Sequence, residues 1–220
     1  MKNYLKKAIS AVIALALAAS MIPATLAANV ALTDVPETAD YATAVNTLVA
    51  LGVVNGYEDN SFKPDNNITR AEASKIIVAA LNETASAEAM KGATKFSDIE
   101  AKHEWATGYI NKGVSMGYIN GMENNQFQPD GNVTFAQVVK MMLCAMGYED
   151  YAASLAEQYG YTGANWYIPY TQLAADAGVT EGVYAGPNEA VTRAQVAQLV
   201  YNAIQAPIVK NVGVTQTDSG

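Results

Sequence analysis

An all-α fold of three tandem helix–loop–helix units behind an export signal is the architecture this 220-residue sequence predicts. Three observations predict it. A segment recurs at a fixed spacing, every recurrence carries the same helix-start signal, and the residues after each start return at helical periodicity.

The recurrence comes first. Gly52-Val53-Val54-Asn55-Gly56-Tyr57-Glu58-Asp59-Asn60-Ser61-Phe62-Lys63-Pro64 aligns position for position with Gly117-Tyr118-Ile119-Asn120-Gly121-Met122-Glu123-Asn124-Asn125-Gln126-Phe127-Gln128-Pro129, a period of 65. Ile68-Thr69-Arg70-Ala71-Glu72 aligns at the same offset with Val133-Thr134-Phe135-Ala136-Gln137. A third copy resumes at Gly178 and closes with Val191-Thr192-Arg193-Ala194-Gln195, its loop to Pro187 shorter by three residues.

Thr69, Thr134 and Thr192 read as helix N-caps, because Glu72, Gln137 and Gln195 follow three residues later and complete a capping box. Val133 with Val138 and Val191 with Val196 form hydrophobic staples across the cap, and Ile68 with Ala73 a weaker one. Apolar residues then follow at helical spacing: Ala73, Ile76, Ile77, Ala80, Leu81; Val138, Met141, Met142, Ala145, Met146; Val196, Leu199, Val200, Ala203, Ile204. A second helix precedes each loop, with Val45, Leu48 and Leu51 in copy one and Trp105, Tyr109 and Ile110 in copy two. Gly52, Gly117 and Gly178 stop these helices in the left-handed position. Two such helices cannot bury their apolar faces alone, so the three units are expected to pack together. The longer stretches Thr84–Lys95 and Tyr148–Ala164 leave room for connector helices.

Lys2, Lys6 and Lys7 precede an apolar run from Ala8 to Ala19, and Thr25-Leu26-Ala27 fits a small-residue cleavage site. Residues 1–27 therefore read as a secretory signal peptide, too short in its apolar core to span a bilayer. Its removal leaves 10 basic against 21 acidic groups. So acidic a chain repels phosphate backbones and anionic headgroups, which argues against nucleic-acid partners and against membrane attachment after cleavage. Cys144, the one cysteine, allows no intrachain disulfide; its Met141–Met146 setting is that of a buried helix residue.

The repeated residues resemble the S-layer homology family, whose module runs Asp-Val, a Trp-Ala pair, Gly-Val-x-x-Gly-Tyr, Phe-x-Pro and a Thr-Arg-Ala-Glu box. Thr69-Arg70-Ala71-Glu72 is that box letter for letter, and the resemblance covers about residues 32–206. It implies three pseudo-symmetric modules (28–82, 83–147 and 148–206, the last two with connectors) around a central three-helix bundle with projecting loops, then a linker or tail over 207–220. It also implies a secreted protein of a bacterial cell wall or surface layer. Its role would be to anchor non-covalently to a secondary cell wall polysaccharide, often bearing a carboxylate as a pyruvate ketal, in grooves between modules. No cofactor, metal or catalysis is implied.

Carried over by motif position, Arg70 and Arg193 would meet the carboxylate, in the first turn of a helix whose unpaired N–H groups and dipole also favour an anion. Gly56 and Gly121 would let a sugar approach the backbone, Trp105 and Trp166 would supply apolar walls, and Asp34 and Asp98 would accept hydrogen bonds. Three departures limit the carry-over. Phe135 replaces the arginine in copy two, Asp40-Tyr41 stands where copy one needs its tryptophan, and copy three lacks both the Asp-Val opening and the loop phenylalanine. Fewer than three working grooves are expected, the better ones around Arg70 and Arg193, and a groove can draw on adjacent copies.

Three rival readings weigh less. A glycan-cleaving carboxylate pair would have to be picked out from acids that recur with the repeats, and the single histidine, His103, offers no triad. A calcium loop counted from Asp59 would put Pro64 and Arg70 where glycine and glutamate are required. A structural lattice role through protein contacts with other surface-layer proteins is separated from anchoring by whether Arg70 and Arg193 are needed.

Overall fold

The computed structural model describes residues 32–206; the export segment 1–27 and the tail 207–220 lie outside the described residues. Eight α-helices run along the described chain: α1 (Ala42–Ala50), α2 (Arg70–Ala80), α3 (Thr84–Ala89), α4 (Glu104–Ser115), α5 (Phe135–Ala145), α6 (Glu149–Tyr159), α7 (Ile168–Asp176) and α8 (Arg193–Gln205). No β-strand occurs among the described residues, only isolated bridges, so the protein is all-α as predicted. None of these helices is long and apolar enough to cross a membrane. The connector helices expected after Thr84 and Tyr148 are α3 and α6.

The three capping boxes form. Thr69 Oγ1 accepts the Glu72 amide at 3.2 Å while Glu72 Oε2 accepts the Thr69 amide at 2.9 Å. Thr134 with Gln137 and Thr192 with Gln195 repeat the exchange. α2, α5 and α8, the helices so started, each touch the other two.

Where they meet, the backbone closes a ring. The amide of Ile68 donates to Val191 O (3.0 Å), that of Val191 to Val133 O (3.1 Å), and that of Val133 to Ile68 O (3.0 Å). All three side chains are fully buried. Sequence made these residues staples; tertiary structure also makes them the centre of the molecule. Burying each such side chain contributes about 1.5–3 kcal/mol.

The preceding helices dock in cyclic order. α4 packs on α2, α7 on α5, and α1 on α8, so the first helix of each copy lies mainly against the capped helix of the copy before it. Val45 and Leu48 of α1 and Ile110 of α4 are fully buried in this way. Gly52, Gly117 and Gly178 end these helices at φ of 69°, 84° and 76°, the left-handed position their lack of a side chain allows. Leu51 and Ile204, read as core-facing, are instead 50% and 41% exposed, because each stands at the fraying end of its helix, beyond its partner. Cys144 is only partly buried, at the edge of the core rather than inside it.

Candidate functional site

The loops after α1 and α4 are shaped by one carboxylate each. Asp34 Oδ1 and Oδ2 accept the amides of Phe62 (2.6 Å) and Lys63 (2.8 Å). Asp98 does the same for Phe127 (2.8 Å) and Gln128 (2.7 Å). Lys63 and Gln128 both sit at φ 58°, a left-handed conformation that side chains disfavour, and two charge-assisted hydrogen bonds hold each there. Asp34 and Asp98, expected to accept hydrogen bonds from a sugar, each use both oxygens to hold the loop. Gly56 and Gly121, expected to let a sugar approach the backbone, are each packed closely on one side. A Cβ on Gly56 would lie 2.7 Å from Leu32 Cδ2, and one on Gly121 would strike the Phe96 ring, so the space beside each glycine is filled by the chain itself.

The arginines thread from one copy into the next. Arg193, at the start of α8, donates through Nε to Phe62 O at 2.8 Å, and its Nη2 lies 3.5 Å from Asn55 O. Its guanidinium stands 4.9 Å from the Tyr57 and Phe62 ring centres. Arg70, at the start of α2, donates to Phe127 O at 2.8 Å and Asn120 O at 3.1 Å, over the Phe127 ring. Both side chains are more than nine-tenths buried. Burial pulls the Arg70 pKa down, with Asp98 opposing.

The helix N-termini, by contrast, are not open to a ligand. The amides of Arg70 and Ala71 donate to Gly131 O and Pro129 O, those of Phe135 and Ala136 to Glu189 O and Pro187 O, and those of Arg193 and Ala194 to Asn66 O and Pro64 O. With the threonine caps, the first-turn donors are consumed between copies. Any positive charge offered to a ligand therefore comes from side chains, not from free helix amides.

Around Arg193 lies an open groove of about 260 Å³, lined by Asn55, Gly56, Tyr57, Glu72, Lys75, Trp105 and Arg193 among others. Three copies contribute to it: loop and α2 from the first, Trp105 of α4 from the second, Arg193 from the third. Trp105 is 41% exposed, so it is a wall and not core. Lys75 Nζ stands 5.9 Å from the ring centres of Trp105 and Tyr109. The arrangement recurs at the second loop, where Lys140 Nζ is 5.5 Å from Trp166 and 5.2 Å from Tyr170, with Arg70 reaching Asn120 beside Gly121. Arg193, Gly56, Glu72 and Trp105 thus come together in one groove, and Arg70, Gly121, Gln137 and Trp166 take the equivalent positions in the other. Sequence reasoning missed Lys75, Lys140 and Tyr57. The lysines recur at the period of 65 one turn into the capped helices, a signal that aligning the copies beyond the cap would have found.

The third face differs. Phe135 takes the arginine position and is buried, Gln198 takes the lysine position, and Gln195 Nε2 reaches Tyr184 O at 3.4 Å across the shortened loop. α1, with Tyr41 at its start, packs on α8 here as α4 packs on α2.

The S-layer homology domain matches residues 31–74 and 95–139. Over 213 residues, 96% of this chain and 26% of the relative, the sequence is 32% identical to a cell surface protein of Thermoanaerobacter kivui. It is 28% identical over 210 residues to a middle cell wall protein of Brevibacillus brevis and 26% identical over 208 to a surface layer protein of Brevibacillus choshinensis, covering 94% of this chain and 19% and 18% of theirs. The chain spans about a quarter or less of the length of these curated relatives. Residues 31–74 and 95–139 belong to the S-layer homology domain family, and the chain is a secreted protein of the cell wall or cell surface.

Proposed function

We propose that this chain is a non-catalytic anchor that holds an exported protein on the bacterial cell wall by binding a secondary cell wall polysaccharide, one bearing carboxylates such as pyruvate ketals, in two grooves between its copies. The observation that carries this reading is the repeated set of an exposed or half-buried tryptophan, a lysine over its face and a buried guanidinium. A tryptophan wall suits the apolar face of a sugar ring, and fixed cations beside it suit an acidic substituent. The third copy, residues 148–206, is read as a diverged module that completes the first groove by lending Arg193. Residues 1–27 are read as the removed export signal and 207–220 as a linker.

The test is co-sedimentation of residues 28–220 with wall sacculi, before and after chemical stripping of the secondary polysaccharide. Because Arg70→Ala with Arg193→Ala also disturbs packing, Trp105→Ala with Trp166→Ala is measured beside it. Sedimentation lost on stripping and weakened in both double variants is the expected result. Binding indifferent to stripping and to the tryptophans would transfer the function to protein contacts in a surface lattice.

A further inference from the structure

The two grooves are built alike but charged differently. In the first, Glu72 Oε2 is used by the capping box, while Oε1 faces the groove 3.5 Å from Arg193 Nη1 and 3.5 Å from the Tyr57 hydroxyl. The Arg193 charge is therefore already answered by a carboxylate, and the Tyr57 ring covers its guanidinium. In the second groove Gln137 occupies the Glu72 position. Its Oε1 serves the capping box at 3.1 Å from the Thr134 amide, and its Nε2 makes no hydrogen bond with the described residues. Met122 stands in place of Tyr57 and Asn124 in place of Asp59.

Among the described residues Arg70 has carbonyl partners but no carboxylate within ion-pair distance, Asp98 acting on it only through space, although it is 5% exposed. Each groove also has one acid beside its tyrosine, at non-equivalent positions. Glu88 hydrogen-bonds Tyr109 at 2.8 Å beside the first groove, and Glu149 lies near Tyr170 and Gly117 beside the second. Three charged positions therefore differ: Glu72, Asp59 and Lys63 of the first groove, the last 3.9 Å over the Tyr57 ring, are Gln137, Asn124 and Gln128 in the second, and of these only position 72/137 sits at the guanidinium. A buried cation with no carboxylate in direct contact favours an arriving anion more than one already in contact with a carboxylate does.

Resting on the anchoring reading above, we infer that the grooves divide the ligand between them. The Arg70 groove takes the acidic substituent of the polymer, the Arg193 groove takes a neutral, hydroxyl-rich sugar, and position 72/137 selects which.

Glu72→Gln and Gln137→Glu exchange the two chemistries, and each keeps a capping box of a kind the chain already uses, so both variants fold. The probes are short fragments of the stripped wall polysaccharide, in native acidic form and with carboxyl groups reduced to alcohols, titrated calorimetrically into residues 28–220. The expected result is one strong site for the acidic fragment in the unaltered protein. Gln137→Glu weakens it about tenfold and Glu72→Gln creates a second comparable site, with the reduced fragment bound alike by all three. Unchanged acidic binding in both variants, or equal loss of acidic and reduced fragments in Gln137→Glu, would overturn the division while leaving groove binding intact. Failure of the unaltered protein to bind either fragment would remove the anchoring reading itself.

Discussion

The third face of the molecule and the two grooves are made by the same repeat, yet only the grooves keep the equipment for a ligand. Along the sequence the losses look scattered: Tyr41 in copy one, Phe135 in copy two, the shortened loop in copy three. Cyclic packing brings them together, since α1 and the start of α5 both meet the elements of copy three. The Phe135 amide donates to Glu189 O at 2.9 Å, beside the loop that lost three residues. Three independent departures thus damage one face and leave two intact, which a copy-by-copy reading would count as three impaired sites.

Removing the cation from an intact groove is the most damaging way to test this contrast. Arg70→Ala leaves the buried carbonyl of Phe127, and that of Asn120 nearer the surface, without their guanidinium donors and should cost about 3 kcal/mol in urea unfolding, together with binding at the second groove. A loss below about 1 kcal/mol would mean the guanidinium does not tie the copies together. The reverse change is Phe135→Arg, which offers the third face its missing cation. Because the loop there lacks the phenylalanine carbonyl and the aspartate clamp, this variant should lose about 2 kcal/mol and gain no binding stoichiometry in calorimetry. A new saccharide site would show that the charge alone had been missing.

Asp98→Ala tests the clamp that copy three does without. Loss of two charge-assisted bonds to a strained loop should cost about 2 kcal/mol by chemical denaturation, whereas among the described residues no aspartate clamps the third loop.

The smallest effect is expected at Tyr118, which corresponds to Val53 and Val179. Its phenol is buried without a hydrogen-bond partner among the described residues, and burial, then Glu83, push its pKa up to about 12. The folded state thus favours the neutral phenol, so this stabilising contribution is complete below pH 10 and is lost as pH rises toward 12. Tyr118→Phe should be nearly neutral at pH 7 and raise resistance to alkaline unfolding. Tyr109 and Tyr170, also pushed to about 12, keep part of the pH dependence. An unchanged alkaline midpoint would show that Tyr118 does not titrate in the fold.

Local chemistry made much of this legible beforehand. The threonine caps, the glutamate or glutamine three residues on, the valine staples and the stop glycines are decided by neighbours within one turn of chain, so they read directly from sequence and appear in the structure. The structural contacts of Asp34, Asp98, Gly56 and Gly121 were not legible, because what surrounds each is remote: Phe62 lies 28 residues from Asp34, and Phe96 packs beside Gly121. The free helix amides expected at each cap were likewise taken by carbonyls of another copy.

By itself, the sequence determined that this protein is helical, repeated and started three times by the same box, because capping and periodicity are short-range and written in each copy. Only the tertiary structure decided which copy completes which groove. An arginine at residue 193 closes a loop at residues 55–62 because three apolar helix faces must be buried together, and the order in which they meet is set by packing and not by position along the chain.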